Sequence, residues 1–287
     1  MLRPNSLSAL NSNLARLLGP VLAGILVGLT GLSNITLIDT ASFLIAAGLI
    51  ALIHYRKPLR QTQSAEVNVL SSVGNVGREW NDGLHVVLAT PSLVILFVIT
   101  AFIMIAEGFF GTLIVPFVAR IMHGTEIDFG LLMASQAIGG IIGSIFIVRI
   151  ARTIPAYRLI GICAISFGIL DLALFYYPLW VSGIGLGLLF IGLVGIPSVG
   201  VFAGRTTLIQ TLTKDAYRGR VFGALSAVSA LLMLVGAVIA GVLGERVNLI
   251  LLLTADGLGY LFAGIVALTL LGRTITTMPR TEINPLV

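Results

Sequence analysis

Four acidic side chains lie inside long apolar stretches of this sequence: Glu107 in FIMIAEGFFGTLIVPF, Asp171 in FGILDLALF, Asp39 in ITLIDTASF and Asp256 in LLLTADGLGY. A charge at the centre of hydrocarbon costs at least about 2.5–3.5 kcal/mol on insertion scales, so each needs a polar partner or a function. A carboxyl held there can take up and release a proton, which is the chemistry of ion-coupled transport. Glu107 fits a proton carrier: it falls mid-stretch, with Gly108 and Gly111 opening space beside it and Pro116 beyond. A plain hydrogen bond to another helix would explain the same residue. Asp171, further towards one end of its stretch, lines a cavity, snorkels or pairs with a neighbouring helix. Gln136 is a third cavity residue. Glu107, Gln136 and Asp171 are therefore the expected substrate or proton pathway. Asp39, Asp256 and Arg16 are read as structural intramembrane charges, the aspartates sharing one packing role and Arg16 snorkelling or bonding another helix.

Enzyme chemistry finds little support in these residues. Cys163 is the single cysteine and lies in an apolar stretch, so it forms no disulfide within these residues and no cysteine metal cluster. His54, His85 and His123 are scattered without ligand spacing. There is no nucleophile–base set and no phosphate-binding loop. The glycine series Gly236, Gly241, Gly244 sits in an apolar helix, where it serves close packing. No metal and no organic cofactor is expected; the proton gradient is the expected energy source.

The elements that must position the acids are eight apolar stretches, near 9–30, 35–54, 91–119, 129–149, 157–177, 180–204, 222–244 and 248–271. About 20 such residues cross roughly 30 Å of hydrocarbon. Hydrophobic content of 57%, charged content of 10% and mean hydropathy of +1.07 exclude a soluble domain. The stretches do not alternate, which excludes a β-barrel. The fold class is all-α: a polytopic membrane protein of eight transmembrane helices whose partner is the lipid bilayer.

The net charge of +5 is a topology signal and not a nucleic-acid footprint. With eight spans both termini share a side, and that side collects 14 of the 17 basic residues; the opposite loops hold only Arg120 and Arg246. Basic loops stay cytoplasmic, so both termini are expected in the cytoplasm. Residues 56–88 break the run of short loops and read as a cytoplasmic linker ending in a surface helix. Sliding the first two stretches by 217 positions lays GPVLAGIL at 19–26 on GAVIAGVL at 236–243 and Asp39 on Asp256, with nine of 34 positions identical. That is a parallel repeat with a six-helix unit, of which residues 1–55 would supply the last two helices. The expected organisation is thus 1–55, the linker 56–88, a complete six-helix half at 89–273 and a cytoplasmic tail at 274–287.

Three stretches carry a family resemblance: NSNLARLLGPVLAGIL with Gly19, Pro20 and Gly24, then ITLIDTASFLIAAGLI, then RTTLIQTLTKDAYRGRVFGAL at 205–225 with Arg218, Gly219 and Arg220. They resemble the major facilitator superfamily, most closely its bacterial macrolide-efflux and enterobactin exporters. The resemblance implies a partial major facilitator fold that lacks the first four helices, these being supplied by a longer chain. It implies an antiporter-type conformational motif at Gly19, Pro20 and Gly24 and a cytoplasmic loop motif at Arg218, Gly219 and Arg220. Physically, Pro20 can bend its helix and the glycines admit a close neighbour, while the arginines can bond helix-end carbonyls.

The reading is a proton-coupled efflux transporter of small amphipathic molecules, of drug or siderophore type, in a bacterial cytoplasmic membrane. Its alternatives are an importer or lipid carrier of the same fold, and a non-transporting remnant or regulatory membrane partner. The topology is testable in a Cys163→Ser background. An impermeant thiol reagent applied to intact cells should label His123→Cys and should reach Ala65→Cys only after permeabilisation; labelling at 65 in intact cells would invert the assignment.

Overall fold

The computed structural model describes residues 32–52, 83–151, 153–213 and 215–277, and every regular element among them is helical. We label the helices α1 (Leu32–Ala51), α2 (Pro91–Arg120), α3 (Glu126–Ile150), α4 (Ala156–Tyr176), α5 (Gly185–Leu212), α6 (Asp215–Leu243), α7 (Leu249–Val266) and α8 (Gly272–Thr277). A π-helical turn, Ala267–Leu271, joins α7 to α8. The spans starting in α2 to α7 are long and apolar enough to cross a membrane. They match the third to eighth stretches. The first stretch lies outside the described residues, and the second forms α1, an apolar helix of 20 residues. The described residues therefore contain six membrane-length helices where the sequence suggested eight.

Local chemistry sets the helix starts. Thr90 is extended and Pro91 opens α2, where its missing N–H costs nothing. Thr125 and Asp128 cap α3 reciprocally: the Thr125 N–H donates to Asp128 Oδ2 at 2.7 Å, and the Asp128 N–H donates to Thr125 Oγ1 at 3.4 Å. Asn248 accepts from the Ile250 N–H at 2.8 Å at the start of α7. Between α4 and α5 the chain turns through Gly183, whose φ of +108 suits glycine, and the Tyr177 hydroxyl donates to its carbonyl at 3.0 Å.

The six helices pack as an open row: α3 on α5, α5 on α4, α4 on α7, α7 on α2 and α2 on α6. Exchanging α2, α3, α4 for α5, α6, α7 leaves this order of contacts unchanged. Alternate helices run in opposite directions, so the two three-helix units are inverted relative to each other. Backbones meet at glycines. On α4 and α7 the pairs are Gly161 with Gly264 and Gly168 with Gly257; a Cβ on Gly264 would stand 2.8 Å from the Gly161 carbonyl oxygen. A Cβ on Gly108 of α2 would stand 2.7 Å from the Ala237 nitrogen of α6, and one on Gly195 of α5 would stand 2.7 Å from the Gly140 nitrogen of α3. Long stretches of α3 and α6, the ends of the row, carry exposed Ile, Leu and Val.

The buried apolar residues form two clusters. One includes Leu96, Ile103, Ile160 and Tyr260; the other includes Leu113, Phe117, Phe175 and Leu253. Of the expected linker, residues 83–88 are helical, Val87 joins the first cluster, and Gly83 lies against the Arg220 backbone. The remainder of 56–88 lies outside the described residues, as do 1–31 and 278–287.

This packing predicts a contrast. Gly168→Leu must push against the α7 backbone, since a Cβ there would stand 3.0 Å from the Leu261 nitrogen. Overpacking of this kind costs about 1–3 kcal/mol. Gly111→Leu, at a position with open space, should leave unfolding in detergent near wild type. Equal loss from both would disprove the backbone contact.

Candidate functional site

Helices α2, α4 and α7 meet along the middle of the row, and the acids gather where they do. The glycine contacts bring α4 and α7 together antiparallel. Asp171, three residues past Gly168, consequently faces Asp256, which precedes Gly257. Both are shut away from solvent, at 2% and 1% exposure. Their carboxyls are neighbours across the α4–α7 contact, close enough to act on each other. Neither Asp256 oxygen receives a hydrogen bond from a hydroxyl or amide of the described residues. An ionised carboxylate only accepts, so the pair can bond only when one member carries a proton.

Tyr260 lies one turn beyond Asp256 on α7. Its hydroxyl donates a hydrogen bond to Glu107 Oε1 of α2. Its ring stacks on Phe167 of α4 with centroids 3.8 Å apart and planes 15° apart, which fixes the hydroxyl's direction. Glu107 is half-buried and also close enough to act electrostatically on both aspartates. Thr254 and Tyr176 continue the polar line along α7 and α4, their hydroxyls 3.0 Å apart. Each acid falls in sequence between the two apolar clusters: Glu107 between Ala106 and Phe109, Asp171 between Phe167 and Leu174, Asp256 between Leu253 and Tyr260. The site is a polar layer between two apolar ones. Among the described residues no group of three His, Cys, Asp or Glu side chains is placed to hold a metal ion.

The structure thus brings Glu107 and Asp171 together and adds Asp256, read from sequence as a structural charge. Gln136 stays apart: it is half-buried on α3, and its carbonyl oxygen lies against Gly195 of α5. Asp39 is exposed on α1, whereas Asp256, its counterpart in the sequence repeat, is buried. Arg218 donates through Nη2 to the Gln210 carbonyl at 2.9 Å, in the last turn of α5. The Arg220 guanidinium lies 5.7 Å from the Tyr217 ring centre, and Gly219 is exposed. Arg16, Gly19, Pro20 and Gly24 lie outside the described residues. Tyr260 was not singled out from sequence. Its signal was the four-residue spacing from Asp256, which puts both polar groups on one face of α7.

A family model described as Major Facilitator Superfamily matches residues 96–285. The chain belongs to the Major Facilitator Superfamily. It is a multi-pass membrane protein of a transporter family, not of an enzyme family. The inverted three-helix units are those expected of one six-helix half in this superfamily. No curated protein and no solved structure matches the chain.

The link between α2 and α7 is measurable. Tyr260→Phe keeps the stack on Phe167 and deletes the donor; Glu107→Met keeps the size and deletes the acceptor. A double-mutant cycle on unfolding in detergent should give a coupling of at least about 0.6 kcal/mol, the mean for hydrogen bonds between membrane helices. Additive losses would show that the two side chains do not interact.

Proposed function

We propose that this protein exports small amphipathic molecules in exchange for protons across a bacterial cytoplasmic membrane, with Glu107, Asp171, Asp256 and Tyr260 forming the proton-binding site. The observation that carries the reading is the meeting of three carboxyls and one phenol at the junction of α2, α4 and α7. Such groups inside a membrane span mark ion pathways by default. Protonation changes which bonds the cluster can make: a neutral carboxyl donates, an ionised one only accepts. Loss of the proton from the Asp171–Asp256 pair would replace a hydrogen bond by repulsion between two buried charges. That change acts on the α4–α7 contact itself, so proton binding is coupled to helix packing.

The substrate class follows from the lining. A groove of about 290 Å³ between α3, α4 and α5 is bordered by Ile147, Leu170, Leu193, Ile196 and Pro197, with Cys163 and Ser166. Such a surface suits apolar molecules with few polar groups. The outward direction rests on the exporter-like stretches around Gly19–Pro20 and Arg218–Arg220, and the cytoplasmic placement of the termini rests on the distribution of basic residues.

Glu107→Gln conserves size and hydrogen bonding but cannot titrate. In cells expressing the transporter, the variant should reach the membrane at wild-type level. It should lose proton-driven efflux across a panel of amphipathic dyes. Efflux that keeps the wild-type dependence on external pH would reject Glu107 as the proton carrier.

A further inference from the structure

A second site lies at the other end of the α4–α7 contact. Where α4 begins and α7 passes through its π-helical turn into α8, a groove of about 570 Å³ opens. Tyr157, Arg158, Ile162, Leu268, Thr269, Gly272 and Arg273 line it. The π-helical turn supplies Leu268 and Thr269; such turns widen a helix locally and recur at functional sites. Gly272 makes room for a ring: a Cβ there would stand 2.9 Å from Tyr157 Cε2. The buried Tyr157 in turn accepts a hydrogen bond from Arg158 Nε at 3.1 Å. That bond orients the guanidinium and leaves both of its Nη groups available to an outside acceptor.

The groove is graded along the helix axes. On α4, Ile162 lies one turn inward of Arg158; on the facing strand of chain, Thr269 and Leu268 lie about one turn inward of Arg273. Both arginines sit at the ends of membrane-length spans, Ala156–Leu179 and Leu249–Ile275. Two guanidinium groups therefore stand at the rim, while Ile162, 51% exposed, and Leu268 continue the groove into the apolar layer. A soluble anion would use the rim and leave the apolar part empty. A molecule with a phosphate head and an acyl chain uses both, and bidentate geometry favours arginine for phosphate.

We propose that this groove binds an anionic phospholipid, its phosphate between Arg158 and Arg273 and an acyl chain along Ile162 and Leu268. The charge complementarity and the polar-to-apolar grading select a bilayer lipid over other occupants. This site is independent of the proton cluster and of the transport reading. It clamps α4 to the π-turn from outside, next to the Gly161–Gly264 contact, so its occupancy holds the inner end of the α4–α7 pair.

The test is lipid binding to the full chain purified in a neutral detergent, read by native mass spectrometry and by thermal unfolding. Phosphatidylglycerol should bind and raise the unfolding temperature, whereas phosphatidylcholine and soluble glycerol phosphate should not. Two juxtamembrane arginines together account for about a 30-fold difference in affinity. Arg158→Gln with Arg273→Gln should weaken phosphatidylglycerol binding by that factor, and Arg246→Gln, in a different loop, should not. Ile162→Trp keeps both charges but fills the apolar part, and should abolish binding even if the double variant unfolds. Equal binding of phosphatidylcholine, an equal thermal shift with glycerol phosphate, or unaltered phosphatidylglycerol binding in both the double variant and Ile162→Trp would overturn the site.

Discussion

Helices already in hydrocarbon gain nothing by hiding apolar surface from one another, so they must be held by close contact. This single constraint shapes the rest of the molecule. Glycine lets backbones touch, and each of the three glycine-paired contacts in the row, α2–α6, α3–α5 and α4–α7, has glycines from both helices at its crossing. The α4–α7 crossing matters most, because both sites hang on it. Its two glycine pairs, seven residues apart on each helix, fix an antiparallel register. In that register Asp171 faces Asp256, and Phe167 stacks on Tyr260. At the same contact's other end, Gly161 lies against Leu268, which lines the arginine groove. A larger residue in the crossing would separate the helices and dissolve both arrangements.

The polar layer is expensive, and its form limits the cost. A polar group without a partner in hydrocarbon costs several kcal/mol. Here each acid has a polar neighbour on a different helix: Glu107 has the Tyr260 hydroxyl, and the aspartates have each other. The pairs tie α2 to α7 and α7 to α4 at one height, sealed by apolar clusters on either side. Such a network specifies one register of the three helices more sharply than interchangeable aliphatic contacts can. On the proposed reading, packing would depend on protonation, since two facing carboxyls can bond each other only with a proton between them.

What could be read from the sequence follows from what one dimension contains. The length and hydropathy of the stretches give the class and locate the six membrane-length helices among the described residues, to within a few residues at most ends. The depth of Glu107 and Asp171 in their stretches was visible too. Depth is not neighbourhood, however. Nothing along the chain says that α4 touches α7, so the sequence alone suggests a packing role for Asp256, gives Tyr260 no role and sets Gln136, at a suitable depth, beside Glu107 and Asp171. The one available clue was the matched spacing of Gly161 and Gly168 with Gly257 and Gly264. The π-helical turn had no sequence signal, and with it the groove at Arg158 and Arg273 was invisible.

The inverted units share their packing but not their chemistry. The glycine framework respects the exchange of units: Gly108 against Gly236 on α2 and α6 corresponds to Gly195 against Gly139 on α5 and α3. The acids do not. Glu107 immediately precedes Gly108, but the residue preceding Gly195 is Val194, which is buried in the apolar core. The α2–α7 contact therefore carries a polar link, while its counterpart, α5–α4, meets through Gly200 against Cys163 and Gly204 against Ile160. Duplicated packing with unduplicated chemistry makes the two contacts unequal in energy. The polar link thus joins a helix of each inverted unit, Glu107 on α2 and Tyr260 on α7, and exchanging the units finds no second copy of it.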